Sequence, residues 1–275
     1  MNPWLETICV VALAVTGVFI GRLFSRLNNR YWLLGYLLPA ALVVALIIAR
    51  YAGPLAFVRP FYWITAGRLR FVVLSLVATV GLSTPLSRLH RRSERVAVCI
   101  VMTIVVVWFA ILPFLVPALI ADRLAALPGR IDADGVCFQS TDFTCAPAAA
   151  VTALRRLGFD ATEGEIAVLS RSSPVVGTLP GCLQTALQQR YGPAGLRCRY
   201  RYFDSLDQLE DAGLTLAVVR DSFLVDHCVA VLAVSDKLVT VADPVVGKVR
   251  IPRERFEKLW RYTGVVLTRD AKHHI

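Results

Sequence analysis

Four side chains in the second half of this 275-residue chain have the types and order of a cysteine-nucleophile site. Cys145 opens a predicted helix, and His227 is the only histidine between position 91 and the C-terminal tail. Asp243 follows in an Asp-Pro turn, and Gln139 stands six residues before the cysteine. Together they could supply a nucleophile, a base, an acid that orients the base, and a donor to an oxyanion. This combination indicates acyl transfer by a cysteine.

The predicted elements favour these roles. A helix start stabilises an anion through its dipole and free N–H groups, so the position of Cys145 favours a thiolate. His227 lies in a predicted strand whose alternate residues face one side, so Asp226 points away from it. Asp243, at the end of the next strand, is the better partner, and we expect it to accept the Nδ1–H of the imidazole. The Cys145 backbone N–H and the Gln139 side chain would stabilise the oxyanion.

Each of these residues has an ordinary structural interpretation when it is taken alone. A cysteine at a helix start is most often a buried apolar residue, and a strand histidine is most often structural. An Asp-Pro pair is a common turn signal. The prediction therefore depends on the order and spacing of all four residues.

From about Val136 the sequence predicts an α+β domain, with helices first and strands later. Apolar residues at helical spacing and Gly158 as a stop define a helix from Cys145 to Leu157. Two further predicted helices begin at the capping boxes Thr162–Glu165 and Ser205–Gln208. Two others are predicted from Pro180 to Tyr191 and from Pro252 to Tyr262. The predicted strands are 214–219, 225–234, 237–241, 248–251 and 264–267. A helix that carries the nucleophile, followed by an antiparallel sheet that carries the base, is a papain-like arrangement.

The first part of the chain is strongly apolar. The whole sequence is 56% hydrophobic with a mean hydropathy of +0.59. A bilayer core of about 30 Å needs about 20 helical residues, and the sequence predicts a transmembrane region at 1–120, a linker at 121–135 and a peptidase-like domain at 136–275. The four predicted spans are about 3–23, 31–49, 71–86 and 96–120. The third is short, and whether it spans is left open.

Charge supports a membrane protein and argues against a nucleic-acid partner. The net charge of +10 falls mainly on residues 1–120, which hold eleven arginines and two acidic residues. These arginines flank the apolar runs, as in membrane proteins. They do not fix the orientation, because one placement puts seven arginines inside and the other six.

No cofactor or metal site is predicted. The cysteines have no CxxC spacing that would favour zinc, and no Walker-type loop indicates an ATPase. Four cysteines near Cys145 could form two disulfides or be buried thiols. These are Cys137, Cys182, Cys198 and Cys228.

Residues 136–268 resemble the bacteriocin-processing cysteine peptidases, the domains fused to peptide-exporting ABC transporters that cut after double-glycine leaders. That family has a glutamine six residues before its cysteine, a histidine that begins an apolar strand, and a strand-end Asp-Pro. The segment Pro252–Phe256 is similar to its closing helix. The resemblance implies Cys145 as nucleophile, His227 as base, Asp243 as orienting acid and Gln139 as oxyanion donor.

Two differences from that family are visible. Thr144-Cys145-Ala146 replaces its usual Asp-Cys-Gly, and the chain has four predicted spans and no ATPase domain. We therefore predict a multi-pass protein of the bacterial inner membrane that hydrolyses peptides, with peptide or protein substrates and a separate ABC exporter as a candidate partner. Two alternatives stay open: a non-catalytic peptide-binding module of an export system, and a papain-like acyl transferase or amidase.

Overall fold

The computed structural model describes residues 3–27, 31–51, 53–222 and 225–270. These residues form two compact units, 1–119 and 120–275. The last five residues of the predicted peptidase domain, 271–275, lie outside the described residues.

In the described residues of the first unit, the regular secondary structure is helical. Its α-helices are α1 (Pro3–Arg26), α2 (Leu34–Tyr51), α3 (Phe61–Thr65), α4 (Leu69–Ser83), α5 (Arg92–Val106) and α6 (Leu112–Leu119), with one π-helical turn (Val107–Ile111) between the last two. Within the described residues, three helical stretches are long and apolar enough to cross a membrane: Pro3–Arg26, Tyr31–Ala49 and Arg92–Leu119. Helix α4, the third apolar run, has only 15 residues.

Helices α1 and α4 run parallel and pack closely through small residues. Gly17 of α1 faces Thr79 of α4, and Gly21 faces Ser83. A Cβ added at Gly21 would lie 2.5 Å from the Val80 carbonyl oxygen, so a larger residue would force the backbones apart. Close backbone approach through small residues four apart is a common way to pack helices in lipid.

A partly buried ion pair follows the same register. Arg68, just before α4, donates to Glu6 of α1 at 2.9 Å, and 62 residues separate the two. The same separation holds for Gly17–Thr79 and Gly21–Ser83, so α4 lies alongside α1 at equal depth. The Arg68 guanidinium also lies 4.2 Å from the ring centroid of Phe114, which brings α6 to this end of the bundle.

The second unit has helices on both faces of a six-stranded antiparallel sheet with strand order β1-β6-β2-β3-β4-β5. Its helices are α7 (Ala121–Ala125), α8 (Cys145–Arg156), α9 (Glu163–Leu169), α10 (Pro180–Tyr191), α11 (Leu206–Ala212) and α12 (Arg253–Leu259). Its strands are β1 (Leu196–Tyr202), β2 (Thr215–Arg220), β3 (Asp226–Val234), β4 (Leu238–Asp243), β5 (Gly247–Pro252) and β6 (Trp260–Arg269). The predicted α+β class, with helices ahead of most strands, is confirmed.

Helix α8 is the buried centre of this unit. Alanines make up much of it and are fully buried, which lets the helix approach the sheet closely at Cys228 and Ala230 of β3. Gly158 ends the helix with φ +77°, as predicted. A second core on the opposite face of the sheet is aromatic and holds Phe203, Phe256 and Trp260.

The local signals for two other helices are also confirmed. Thr162 accepts the backbone N–H of Glu165, and Ser205 accepts that of Gln208. Strand β1 was not predicted, although its alternation of arginine with Cys198 and Tyr200 is typical of a half-buried strand. The predicted helix from Pro252 to Tyr262 is too long, because Trp260 already belongs to β6 and anchors the aromatic core.

The stretch predicted as a linker is partly structured. Residues Ala121–Ala125 form α7, and Leu124 is buried. Gly164 of α9 lies against this helix, since a Cβ there would lie 2.6 Å from the Leu124 carbonyl oxygen. All seven cysteines fall within the described residues, and all are free thiols.

Candidate active site

Cys145 is the first residue of α8 and is half-buried. Thr144 stabilises the preceding turn. Its hydroxyl accepts the Thr141 N–H and donates to the Thr141 carbonyl, each at 3.1 Å. Among the described residues, no acceptor bonds the Cys145 N–H. A donor at the nucleophile is therefore available for an incoming oxygen.

His227 and Asp243 meet on the sheet. The Nε2 atom of His227 lies 2.9 Å from Oδ1 of Asp243, and the two side chains are 15% and 22% exposed. We expected Asp243 to accept the Nδ1–H of the imidazole, and this was wrong, because Nε2 is the nitrogen that lies next to Asp243. With Nε2 on the carboxylate, Nδ1 is the ring atom left for Cys145, which lies close enough to raise the pKa of the imidazole. Asp226 is instead bound by Arg261 at 2.8 Å, as expected for a residue on the other face.

The charges around His227 stabilise its imidazolium. Burial alone would lower the pKa of His227, but hydrogen bonds to Asp243 and Cys145, and their negative charges, raise it to about 10. Burial would raise the pKa of Asp243, yet the His227 hydrogen bond and the Val245 N–H, 2.8 Å from Oδ1, hold it below its usual range. The arrangement therefore favours an ionised Asp243 carboxylate beside a His227 imidazolium.

Gln139 is brought to the same end of the sheet. Its backbone N–H donates to the Pro244 carbonyl at 2.9 Å, which ties the loop before α8 to the turn after Asp243. The Gln139 Oε1 atom is buried and has no hydrogen-bond partner among the described residues. All four sequence-predicted residues thus share one region, and their catalytic roles stay a prediction.

Glu163 also lies beside this region, although the sequence analysis identified it only as part of a capping box. The residue is fully buried, and its carboxylate accepts the Ser140 N–H at 2.8 Å and the Ser140 hydroxyl at 2.6 Å. The burial of Glu163 could not be predicted from the sequence, because its partner Ser140 lies 23 residues away in the chain.

The cysteines near the site differ from Cys145. Burial raises the pKa of Cys198 to about 12, and burial with the nearby Glu163 charge raises that of Cys137 to about 12. Burial and the charges of Cys145 and Asp243 also hold the pKa of Cys228 well above its usual value. Within the described ranges, no three His, Cys, Asp or Glu side chains are grouped to hold a metal ion.

Sequence comparison gives one family and two related proteins. Residues 136–274 match the model described as the Peptidase C39 family. An uncharacterised protein from Methanothermobacter marburgensis is 32% identical over 129 residues, covering 47% of this chain and 83% of that protein. Another, from Methanothermobacter thermautotrophicus, is 30% identical over 132 residues, covering 48% and 85%.

Structural comparison finds similar domains at low sequence identity. The peptidase domain of Streptococcus ComA, a bifunctional ABC transporter of a quorum-sensing pathway, is 19% identical with a TM-score of 0.43, covering 48% of this chain and 96% of that one. A double-glycine-motif protease of an AMS/PCAT transporter, solved with its leader peptide, is 16% identical with a TM-score of 0.42, covering 52% and 94%. A C39-like peptidase from Bacillus anthracis is 16% identical with a TM-score of 0.40, covering 52% and 98%.

Proposed function

The chain belongs to the peptidase C39 family, and on that premise we propose that it is a membrane-anchored cysteine peptidase. Cys145 acts as nucleophile, His227 as general base and acid, and Asp243 as the acid that orients the imidazole. The observation that carries this proposal is the row of Asp243, His227 and Cys145, with 2.9 Å between His227 Nε2 and Asp243 Oδ1.

The first half of the reaction forms an acyl-enzyme. The thiolate sulfur of Cys145 attacks the peptide carbonyl carbon, and the carbonyl electron pair moves onto oxygen. When this intermediate collapses, the C–N bond breaks and the leaving amine takes a proton from the His227 imidazolium. The products of this half are a thioester on Cys145, a neutral His227 and a free amine.

The second half consumes one water molecule. His227 removes a proton from water as its oxygen attacks the thioester carbonyl, and collapse of that intermediate breaks the C–S bond. The acid product leaves, and the thiolate and imidazolium are restored. Asp243 stays ionised throughout, because two donors, His227 and the Val245 N–H, share its Oδ1.

Both intermediates carry an oxyanion that needs donors. The Cys145 N–H and the Gln139 side-chain amide are the groups that we assign to this task. Removal of one such donor typically lowers kcat by about 10²–10³-fold. The backbone bond from Gln139 to Pro244 supports this role, since it holds the glutamine beside the turn that also carries Asp243.

The substrate that we propose is a peptide with small residues before the cut, as in leader peptides of exported peptides. Ala146 follows the nucleophile where the family usually has glycine, and we expect the cleft beside Cys145 to be narrow and to admit small residues. The helical unit anchors the enzyme in the bacterial inner membrane through the apolar stretches Pro3–Arg26, Tyr31–Ala49 and Arg92–Leu119. A separate ABC exporter is the partner that would use the processed peptide.

A peptide library tests this function directly. The detergent-solubilised full chain is incubated with the library, and new termini are identified by mass spectrometry, with Cys145→Ala as the matched control. Cleavage that depends on Cys145 and follows small residues supports the proposal. Binding of peptides without cleavage would instead identify a non-catalytic peptide-binding module, and transfer of the acyl group to an added amine would identify an acyl transferase.

A further inference from the structure

We propose that Glu163 is a positioning residue that holds Gln139 in place to donate to the oxyanion, an inference that rests on the proposed peptidase function. Glu163 touches neither Cys145 nor His227 by any hydrogen bond in the described residues. It acts through Ser140, the residue directly after Gln139.

Hydrogen bonds hold the backbone on both sides of Gln139. On one side, the Gln139 N–H donates to the Pro244 carbonyl at 2.9 Å. On the other, the two oxygens of Glu163 accept the N–H and the hydroxyl of Ser140 at 2.8 and 2.6 Å. These bonds fix the backbone on both sides of the Gln139 Cα, and the side chain has no hydrogen bond of its own in the described residues. Its placement therefore depends on the backbone.

Burial of the Glu163 carboxylate destabilises the folded state unless hydrogen bonds replace its lost hydration. Glu163 is 0% exposed, whereas Ser140, its partner, is an exposed residue. A buried carboxylate loses its hydration and recovers that loss only through good hydrogen bonds. An apolar residue of similar volume would pack in α9 without this cost. The effect of the buried Glu163 carboxylate is therefore to hold the exposed loop residue Ser140 through two short hydrogen bonds.

Glu165, two residues further along α9, offers a matched control. Its carboxylate also accepts two side-chain donors, Arg190 Nε at 2.6 Å and the Tyr191 hydroxyl at 3.1 Å. These partners tie α9 to α10 and do not reach the loop before Cys145. A purely structural role for acids of this helix would make the two residues equivalent.

The experiment compares Glu163→Met, which removes the acceptors at similar length, with Glu163→Gln, whose amide oxygen can still accept the Ser140 N–H. The probe is a fluorogenic peptide with two glycines before an aminocoumarin leaving group. We expect Glu163→Met to lower kcat by about 10- to 100-fold, the size expected for a misplacement of about 1 Å, with KM changed little. Glu163→Gln should recover most of that loss, and Glu165→Met should match the wild type.

Two further readouts separate positioning from general damage. The rate at which iodoacetamide alkylates Cys145 should be unchanged in Glu163→Met, because alkylation needs no oxyanion donor. In a Gln139→Ala background, Glu163→Met should lower kcat no further, since the two changes remove the same contribution. Protection of the buried Cys198 thiol from labelling verifies the fold, because Glu163 does not influence the pKa of Cys198. If Glu163→Met exposes Cys198, Glu163→Asp replaces it, because aspartate keeps the charge and draws the oxygens back by one methylene.

A wild-type kcat in the folded variant, or a loss that adds in full to that of Gln139→Ala, would overturn the inference and leave the peptidase proposal intact. Failure of the wild-type chain to cleave this probe or any library peptide would remove the proposed function, and this inference with it.

Discussion

The imidazole of His227 and the carboxylate of Asp243 meet where strands β3 and β4 lie side by side. The pairing of the two strands includes Ala230 opposite Ala242, and His227 lies three residues before Ala230 while Asp243 directly follows Ala242. The two side chains approach to 2.9 Å between Nε2 and Oδ1. Asp226, the residue next to His227, instead accepts from Arg261 at 2.8 Å.

Alkylation should find Cys145 first among the seven thiols. Burial raises the pKa of Cys137 and Cys198 to about 12, so neither forms much thiolate near pH 6, whereas Cys145 has the imidazolium beside it. Labelling with a limiting amount of iodoacetamide followed by peptide mapping measures the order. Protein unfolded in urea is the control, since all seven should then react alike. Faster labelling of Cys182 in the folded chain would contradict the assignment.

Replacement of His227 by alanine should abolish peptidase activity. Within residues 121–270 the chain has no other histidine, and loss of a general base typically costs about 10²–10⁴-fold in rate. Turnover of the fluorogenic peptide measures the effect, and protection of Cys137 verifies the fold. A variant that keeps more than a tenth of wild-type turnover would show that another group acts as the base.

Replacement of Asp243 by asparagine should shift the alkaline limit of activity to lower pH. The pKa of His227 is raised to about 10, so the imidazolium that protonates the leaving amine persists below that pH and is lost above it. Asparagine removes the negative charge and leaves only a weaker, neutral acceptor, so the pKa of His227 falls and the imidazolium loses its proton at lower pH. The pH profile of kcat/KM measures the limit. An unchanged alkaline limit would mean that Asp243 does not control the imidazole.

A methyl group at Gly21 should destabilise the membrane unit. The added Cβ would collide with Ser83 Oγ and lie 2.5 Å from the Val80 carbonyl oxygen, so α1 and α4 must separate. Overpacking of this kind costs about 1–3 kcal/mol. Gly81→Ala is the matched control, because its nearest neighbour, the Pro39 Cβ, would be 3.8 Å away. Thermal unfolding in detergent compares the two variants, and equal midpoints would contradict the packing.

Carbonate washing should leave the chain in the membrane fraction.

Both ends of the chain should lie on the same side of the membrane. Glu6 pairs with Arg68 and Arg68 contacts Phe114, so α1 and α4 begin at the same end of the bundle at which α6 ends. We therefore expect α4 to cross the membrane at the depth of α1, although it has only 15 residues. Reporter fusions at the two termini test this, and reporters on opposite sides would mean that α4 does not cross.

The sequence alone determined the elements that depend on local chemistry. Capping residues such as Thr162, the stop at Gly158 and the apolar runs were readable because hydrogen bonds and periodicity within a few residues create them. The order of Gln139, Cys145, His227 and Asp243 predicted a site for the same reason, since each stands beside a recognisable helix start, strand or turn. Strand β1 and the true end of α12 were missed, because pairing with β6 and the aromatic core decides both.

Tertiary structure decided which atoms meet. Strand register put Nε2 of His227 on Asp243, although alternation along the strand had already excluded Asp226. Packing of α9 beside the loop before Cys145 brought Glu163 to Ser140 across 23 residues, and a constant separation of 62 residues brought α4 to α1. Such long-range contacts follow from how apolar faces bury one another, and a sequence pattern identifies such a face without specifying its partner.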